Sequence, residues 1–274
     1  MKIYIHIGDA RTGTTTLQRL LTRNRATLAS MGVAYPTLGT MQNSTGSGQH
    51  RLAFSLLPEW PQFAIKGKAP ADTVWQEFTD YLDQLSRETH TVLISSEAFL
   101  NIKEDGLSYL KDILSDHDVV PICVKRNAED WRRSWIAHQT RQGVVVQGAK
   151  KPARDLAQPK IDRWNKVFDV VCIPYSSNTS KEILALLSVD IDLLDPVERS
   201  NARLTEAQLN LLTQLNGIPM EEAHRGAMLD AIKASEAADN QRIVTFIQRV
   251  RFAGKNRSKF NEAILGLWQP NTAQ

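Results

Sequence analysis

Cysteine is scarce, with only Cys123 and Cys172 among 274 residues. That excludes a disulfide-stapled scaffold. No His/Cys cluster has metal-ligand spacing, so no metal is expected. Both cysteines fall in predicted buried strands, which suits small core residues in a reducing compartment. Long apolar runs are also missing. Nothing approaches the roughly 18 residues of a membrane span. The N-terminus leads straight into a strand without a signal-peptide core, so a cytoplasmic location is expected. Charge of one sign is not in excess: 33 Lys and Arg face 30 Asp and Glu, giving a net charge of +3 and a pI near 8.8. That balance does not call for nucleic acid, but it suits an anionic small ligand. Repeats and low-complexity segments are absent.

What is present is a βαβα alternation. Strands are expected at 2–7, 91–96 and 118–125, and helices at 13–30, 71–88, 104–115 and 128–142. Trp75, Phe78, Tyr81 and Leu82 recur at helical spacing and read as core. This order predicts an α/β fold with a parallel sheet and helices on both faces, and ligands beyond the carboxyl ends of the strands. The length suits a single α/β domain over 1–274, with a helical C-terminal region from about 204 in which Leu209, Leu211, Leu212 and Leu215 are buried. Turn formers crowd 39–50, and a second loop covers 143–157. Loops of that kind are candidate binding loops.

The sharpest segment is Ile3-Tyr4-Ile5-His6-Ile7-Gly8-Asp9-Ala10-Arg11-Thr12-Gly13-Thr14-Thr15-Thr16. It reads as a buried strand, a tight polar loop and a helix start, the layout of a phosphate-cradling P-loop. Free amides of Thr14, Thr15 and Thr16 would carry the positive end of the helix dipole. The hydroxyls of Thr14 and Thr15 and the Arg11 fork add donors for an oxyanion. Thr14 stands where a nucleotide hydrolase of the G-x-x-x-x-G-K-[ST] type carries Lys, and the loop cation has moved to Arg11. A second strand, 118–125, runs into Arg126, and a helix start follows with Ser134 on it. Arg11, Glu97 and Arg126 each follow a strand and are expected to converge.

These motifs resemble the sulfotransferases that use 3′-phosphoadenosine 5′-phosphosulfate (PAPS). Arg11-Thr12-Gly13-Thr14-Thr15 matches the family loop [KR]-[ST]-G-T-[TS], which holds the 5′-phosphosulfate. Arg126 and Ser134 match the Arg and the Ser eight residues on that bind the 3′-phosphate; Ala128 replaces the usual Pro. Trp164 to Tyr175 is similar to a family helix end and strand that closes with a Tyr near adenine, here Tyr175. The stretch Glu198 to Leu204 resembles bacterial members. Lys255 and Arg257 stand in a basic Gly-containing segment similar to the loop over the 3′-phosphate.

The resemblance implies a P-loop-type three-layer fold and sulfuryl transfer from PAPS, without a metal, to an alcohol or amine. The acceptor is left open among small molecules, carbohydrates, lipid head groups and peptides. Glu97, after the 91–96 strand, and His50, in a stretch similar to the bacterial His-Leu-Ala, are the candidate bases. His6 reads as structural and His138 as a helix-surface residue. Two other readings stand beside this one. They are a P-loop small-molecule kinase, which Glu97 keeps open, and a nucleotide-binding module without catalysis. Self-association through helices at 220–268 is also open.

Overall fold

The computed structural model describes residues 1–41, 48–144, 154–197, 205–217 and 232. Its framework is a five-stranded parallel sheet in the order β2-β3-β1-β4-β5. The strands are β1 (Lys2–His6), β2 (Val33–Ala34), β3 (Thr91–Ser95), β4 (Asp118–Lys125) and β5 (Val171–Pro174). β3 is buried along its whole length, as its run of Val, Leu and Ile requires when helices cover both sides. On one face Ile3, Ile5, Ile7, Val92 and Ile94 pack with Trp75, Phe78, Phe99 and Trp164. On the other, Tyr4, Leu93, Ile122 and Val124 pack with Leu17, Leu20, Leu21, Ile183 and Leu184. The result is the expected three-layer α/β architecture. The strand order changes direction at β1, so the carboxyl ends of β3, β1 and β4 border the crevice where such sheets bind ligands.

The helices are α1 (Thr14–Arg23), α2 (Arg25–Ser30), α3 (His50–Ser55), α4 (Ala71–Asp83), α5 (Glu104–Ile113), α6 (Ala128–Arg141), α7 (Gln158–Trp164), α8 (Thr179–Leu186) and α9 (Glu206–Asn216). The α4 stripe is core as expected: Trp75, Phe78 and Leu82 are buried and Tyr81 partly so. The helix expected over 13–30 is broken at Asn24. The Asn24 side chain accepts from the Asp195 N–H at 2.7 Å and donates to the Asp195 carbonyl at 3.0 Å, and this long-range clamp interrupts the helix. Cys123 is buried, but Cys172, its register partner on β5, is exposed. β5 is the sheet edge, and Cys172 alternates there with the buried Ile173.

The chain divides into two compact units, Met1–Trp131 with Ala153–Asn201, and Arg132–Pro152 with Ala202–Gln274. The sheet is in the first. In the second, α9 buries Leu211 and Leu212 and half-buries Leu209, and Gln208 donates to the Ile232 carbonyl at 2.8 Å. Leu215, Lys255, Arg257 and the segments 198–204 and 220–268, Ile232 apart, lie outside the described residues or side chains, as do parts of the loops at 39–50 and 143–157.

Candidate functional site: an oxyanion loop between two polar flanks

The loop after β1 holds two residues in left-handed backbone. Arg11 adopts φ 70° and Gly13 φ 83°. Left-handed backbone suits Gly13, but at Arg11 it costs about 1–2 kcal/mol. Left-handed residues within a tight loop turn successive N–H groups toward one concavity, which is how anion nests form. Three consecutive carbonyls are each held by a side chain. The Thr12 hydroxyl donates to Asp9, the Trp131 indole N–H to Ala10 at 2.9 Å, and Arg126 Nη1 to Arg11 at 3.0 Å. Gly8 leaves room for the buried His6 ring. A Cβ there would lie 2.5 Å from His6 Nε2.

Gly13 caps α1 without a side-chain bond, and the first turn has no acidic residue. The Thr16 amide donates to the Gly13 carbonyl at 3.0 Å, so it is not one of the free donors expected from sequence. The Thr14 and Thr15 amides remain without an acceptor among the described residues. Thr14 is buried, and its hydroxyl has no partner there either. A buried, unpaired hydroxyl costs roughly 1–3 kcal/mol, and a ligand oxygen would relieve it.

The β4–β5 side of this loop is cationic. Arg126 follows β4, and its guanidinium lies 4.5 Å from the centroid of the Tyr175 ring. Tyr175 follows β5, its N–H donates to the Lys125 carbonyl at 2.8 Å, and it is 40% exposed. The Tyr175 ring also faces Gly13, where an added Cβ would meet it at 3.6 Å. Burial first, and the Arg126 cation second, lower the Arg11 pKa. Two guanidiniums that disfavour each other in a half-buried loop form a site prepared for an anion. The Asp9 carboxyl is raised, mainly by burial and against the Lys160 cation.

The β3 side carries no Lys or Arg among the groups described below and is densely hydrogen-bonded. The Gln49 side chain accepts from the Ser95 N–H at 2.8 Å and donates to the Pro36 carbonyl at 2.7 Å, while its own N–H donates to the Ser95 carbonyl at 2.9 Å. This clasp fixes the start of α3, so that His50 Nδ1 lies 2.7 Å from Ser96 Oγ. Ser96 also caps the short 3-10 helix Glu97–Asn101, accepting from the Ala98 N–H at 3.2 Å. Glu97 Oε2 is buried without a partner among the described residues. His50 and Glu97 therefore flank a single serine at the end of the strand beside β1. Tyr35, close enough to sense the Glu97 charge, has its phenol pKa raised, chiefly by burial.

His6, read as structural, is fully buried and held neutral, its pKa lowered to about 4 by burial. Its Nδ1 lies 2.8 Å from Ser95 Oγ, to which Gln18 donates at 3.2 Å.

The structure thus brings together Arg11, Thr12, Gly13, Thr14, Thr15, Arg126 and Tyr175, and it sets His50 beside Ser96 and Glu97. Ser134 and His138 are half-buried in α6 within the second unit, and the site described here is confined to the first. Trp131 was not singled out from sequence. Its signal was its place in the first turn after Asn127, whose side chain caps α6 by accepting from the Glu129 N–H at 2.9 Å. No protein-family model, curated protein or solved structure matches the chain.

Proposed function

We propose that this protein is a PAPS-dependent sulfotransferase that transfers a sulfuryl group to a hydroxyl or amine. The observation that carries the reading is the meeting of Arg11, Arg126 and Tyr175 around Gly13, beside a buried Thr14 hydroxyl without a partner among the described residues. Two cations, two helix-start amides and an unsatisfied hydroxyl fit an oxyanion terminus. An aromatic ring beside the second cation fits a purine. Lysine is missing where a nucleotide hydrolase carries it, which favours sulfuryl over phosphoryl transfer within this reading.

PAPS supplies an activated S–O bond. The chain's residues position and neutralise, as in phosphoryl transfer. Arg11, with Thr12 and Gly13 shaping the loop and the Thr14 and Thr15 N–H groups beside it, would hold the 5′-phosphosulfate and take up the charge growing on the departing phosphate oxygen. Arg126 would hold the 3′-phosphate, and Tyr175 would lie against adenine. The acceptor oxygen or nitrogen forms the new bond to sulfur as the bond to the bridging oxygen breaks. The acceptor's proton passes to His50 or Glu97. The products are the sulfated acceptor, the 3′,5′-bisphosphate and a protonated base. Ser134, Lys255 and Arg257 remain part of the family resemblance alone. The acceptor is a hydroxyl- or amine-bearing small molecule, carbohydrate, lipid head group or peptide.

The test is to incubate the full chain with sulfur-labelled PAPS and a panel of alcohols and amines, beside His50→Ala and Glu97→Gln. Label transfer that falls in at least one variant supports the reading. Bisphosphate binding with no transfer to any acceptor would leave a nucleotide-binding module. Transfer from labelled ATP–Mg²⁺ instead would make it a kinase.

A further inference from the structure

The three loop carbonyls do not carry equal information. The Thr12 contact is local, and Arg126 is already part of the proposed donor site. Trp131 is neither. It is set on the first turn of α6 by the Asn127 cap, with its backbone N–H on the Asn127 carbonyl at 2.8 Å and its indole N–H on the Ala10 carbonyl at 2.9 Å.

That contact falls on one particular peptide. A trans peptide holds the Ala10 carbonyl and the Arg11 N–H in one plane, pointing in opposite directions. The tilt of that plane sets φ of Arg11. The observed φ of 70° is the left-handed orientation that a non-glycine residue resists. A hydrogen bond that pulls the Ala10 carbonyl to one side compensates that resistance. The peptide therefore has two orientations, and in the other one the carbonyl would replace the N–H on the opposite side.

We propose that Trp131 is a positioning residue of the oxyanion loop. Its indole N–H, by holding the Ala10 carbonyl, turns the Arg11 N–H toward the bound phosphate or sulfate group. The inference rests on the reading of this loop as an oxyanion site. It does not depend on which group is transferred. One buried polar atom supports that reading independently of the loop's backbone shape. The Thr14 hydroxyl, on a buried residue at the start of α1, lacks a partner among the described residues. A carbonyl turned inward would meet an anion with the wrong end of its dipole, so the Trp131 contact acts on affinity through Arg11 without touching the ligand.

The test uses the full chain and Trp131→Phe, which keeps an aromatic ring and removes the donor, with Trp131→His as the variant that restores an N–H. Each is titrated calorimetrically with 3′-phosphoadenosine 5′-phosphate and with inorganic pyrophosphate. The indole N–H resonance of Trp131 is followed in the wild type. The expected result is affinity about three- to tenfold weaker for both anions in Trp131→Phe, the range for one hydrogen bond. Partial recovery is expected in Trp131→His. The indole proton should exchange more slowly when ligand is bound, a signature that a purely structural tryptophan would not give.

Equal affinities for wild type and Trp131→Phe, with the nucleotide bound tightly, would overturn the role of Trp131 and leave the sulfotransferase reading standing. Trp131-dependent binding of pyrophosphate with no preference for the nucleotide would do the reverse. Failure of the wild type to bind either anion would sink both.

Discussion

At the ends of β4 and β5, Arg126 and Tyr175 lean on the loop with a guanidinium 4.5 Å from a ring centroid, and Arg11 adds a second cation. At the end of β3, one strand to the other side of β1, Gln49 is bonded to Ser95 and His50 to Ser96 by short hydrogen bonds, and the Glu97 carboxylate stands next to them in the chain with one oxygen buried and without a partner among the described residues. In the proposed reaction the difference follows from what each flank would have to hold. An anion can be bound by fixed charge, which needs few contacts and tolerates exposure. A proton acceptor has to be aimed, and aiming a side chain takes a chain of bonds that reaches back into the core. The loop between them serves both flanks because β1 is the strand at which the sheet order turns.

Removing the proton acceptor breaks this comparison most sharply. Glu97→Gln or His50→Ala is expected to lower kcat by about 10²–10⁴ in at least one case, the span of general base catalysis, with bisphosphate affinity unchanged. Equal losses of affinity and turnover would show that the two flanks are one site without divided roles.

The buried base of the β3 flank, where His6 of β1 meets Ser95, can be charged by acid. His6 titrates near 4 in the folded state against 6.5 in the unfolded chain. Its pKa is depressed, so the unfolded chain takes up the proton first. The stability contribution is complete above pH 6.5 and falls as pH drops toward 4, by up to about 3 kcal/mol. Urea unfolding of wild type and His6→Gln between pH 7 and 4 checks this. The wild type should lose more stability on acidification than the variant, and parallel curves would count against a buried neutral His6. The smallest effect is expected at Tyr175. Tyr175→Ala should weaken nucleotide binding by about fivefold, the low end of the value of stacking a base on an aromatic ring, and leave pyrophosphate binding unchanged.

Much of the cationic flank was legible in the sequence because each part sits beside a strong local signal. Gly13 follows a buried strand, Arg126 ends another, and Tyr175 ends a third. The β3 flank was less legible. Glu97 and His50 stand out in the sequence, but the groups that hold His50 in place do not. Gln49 reaches Ser95 across 46 positions, and His50 reaches Ser96 across the same separation, distances over which periodicity says nothing. The same limit explains the break at Asn24, whose partner Asp195 is 171 positions away. The two-residue β2 is too short for any pattern, and its place is set by pairing with β3. The exposure of Cys172 depends on β5 being the sheet edge, a property of the topology and not of the strand's own residues. Counting residues from a helix start makes the Thr16 amide a free donor; its bond back to Gly13 is a matter of local winding.

The central claim is that the cationic flank is a nucleotide 3′-phosphate site and not a general anion patch. The direct measurement is calorimetric titration with 3′-phosphoadenosine 5′-phosphate and with ATP–Mg²⁺, on wild type and Arg126→Ala. The account predicts tight binding of the bisphosphate over ATP–Mg²⁺, weakened about ten- to a hundredfold in Arg126→Ala, as expected for lost bonds to a charged group. Preference for ATP–Mg²⁺, or bisphosphate affinity untouched by Arg126→Ala, would contradict it.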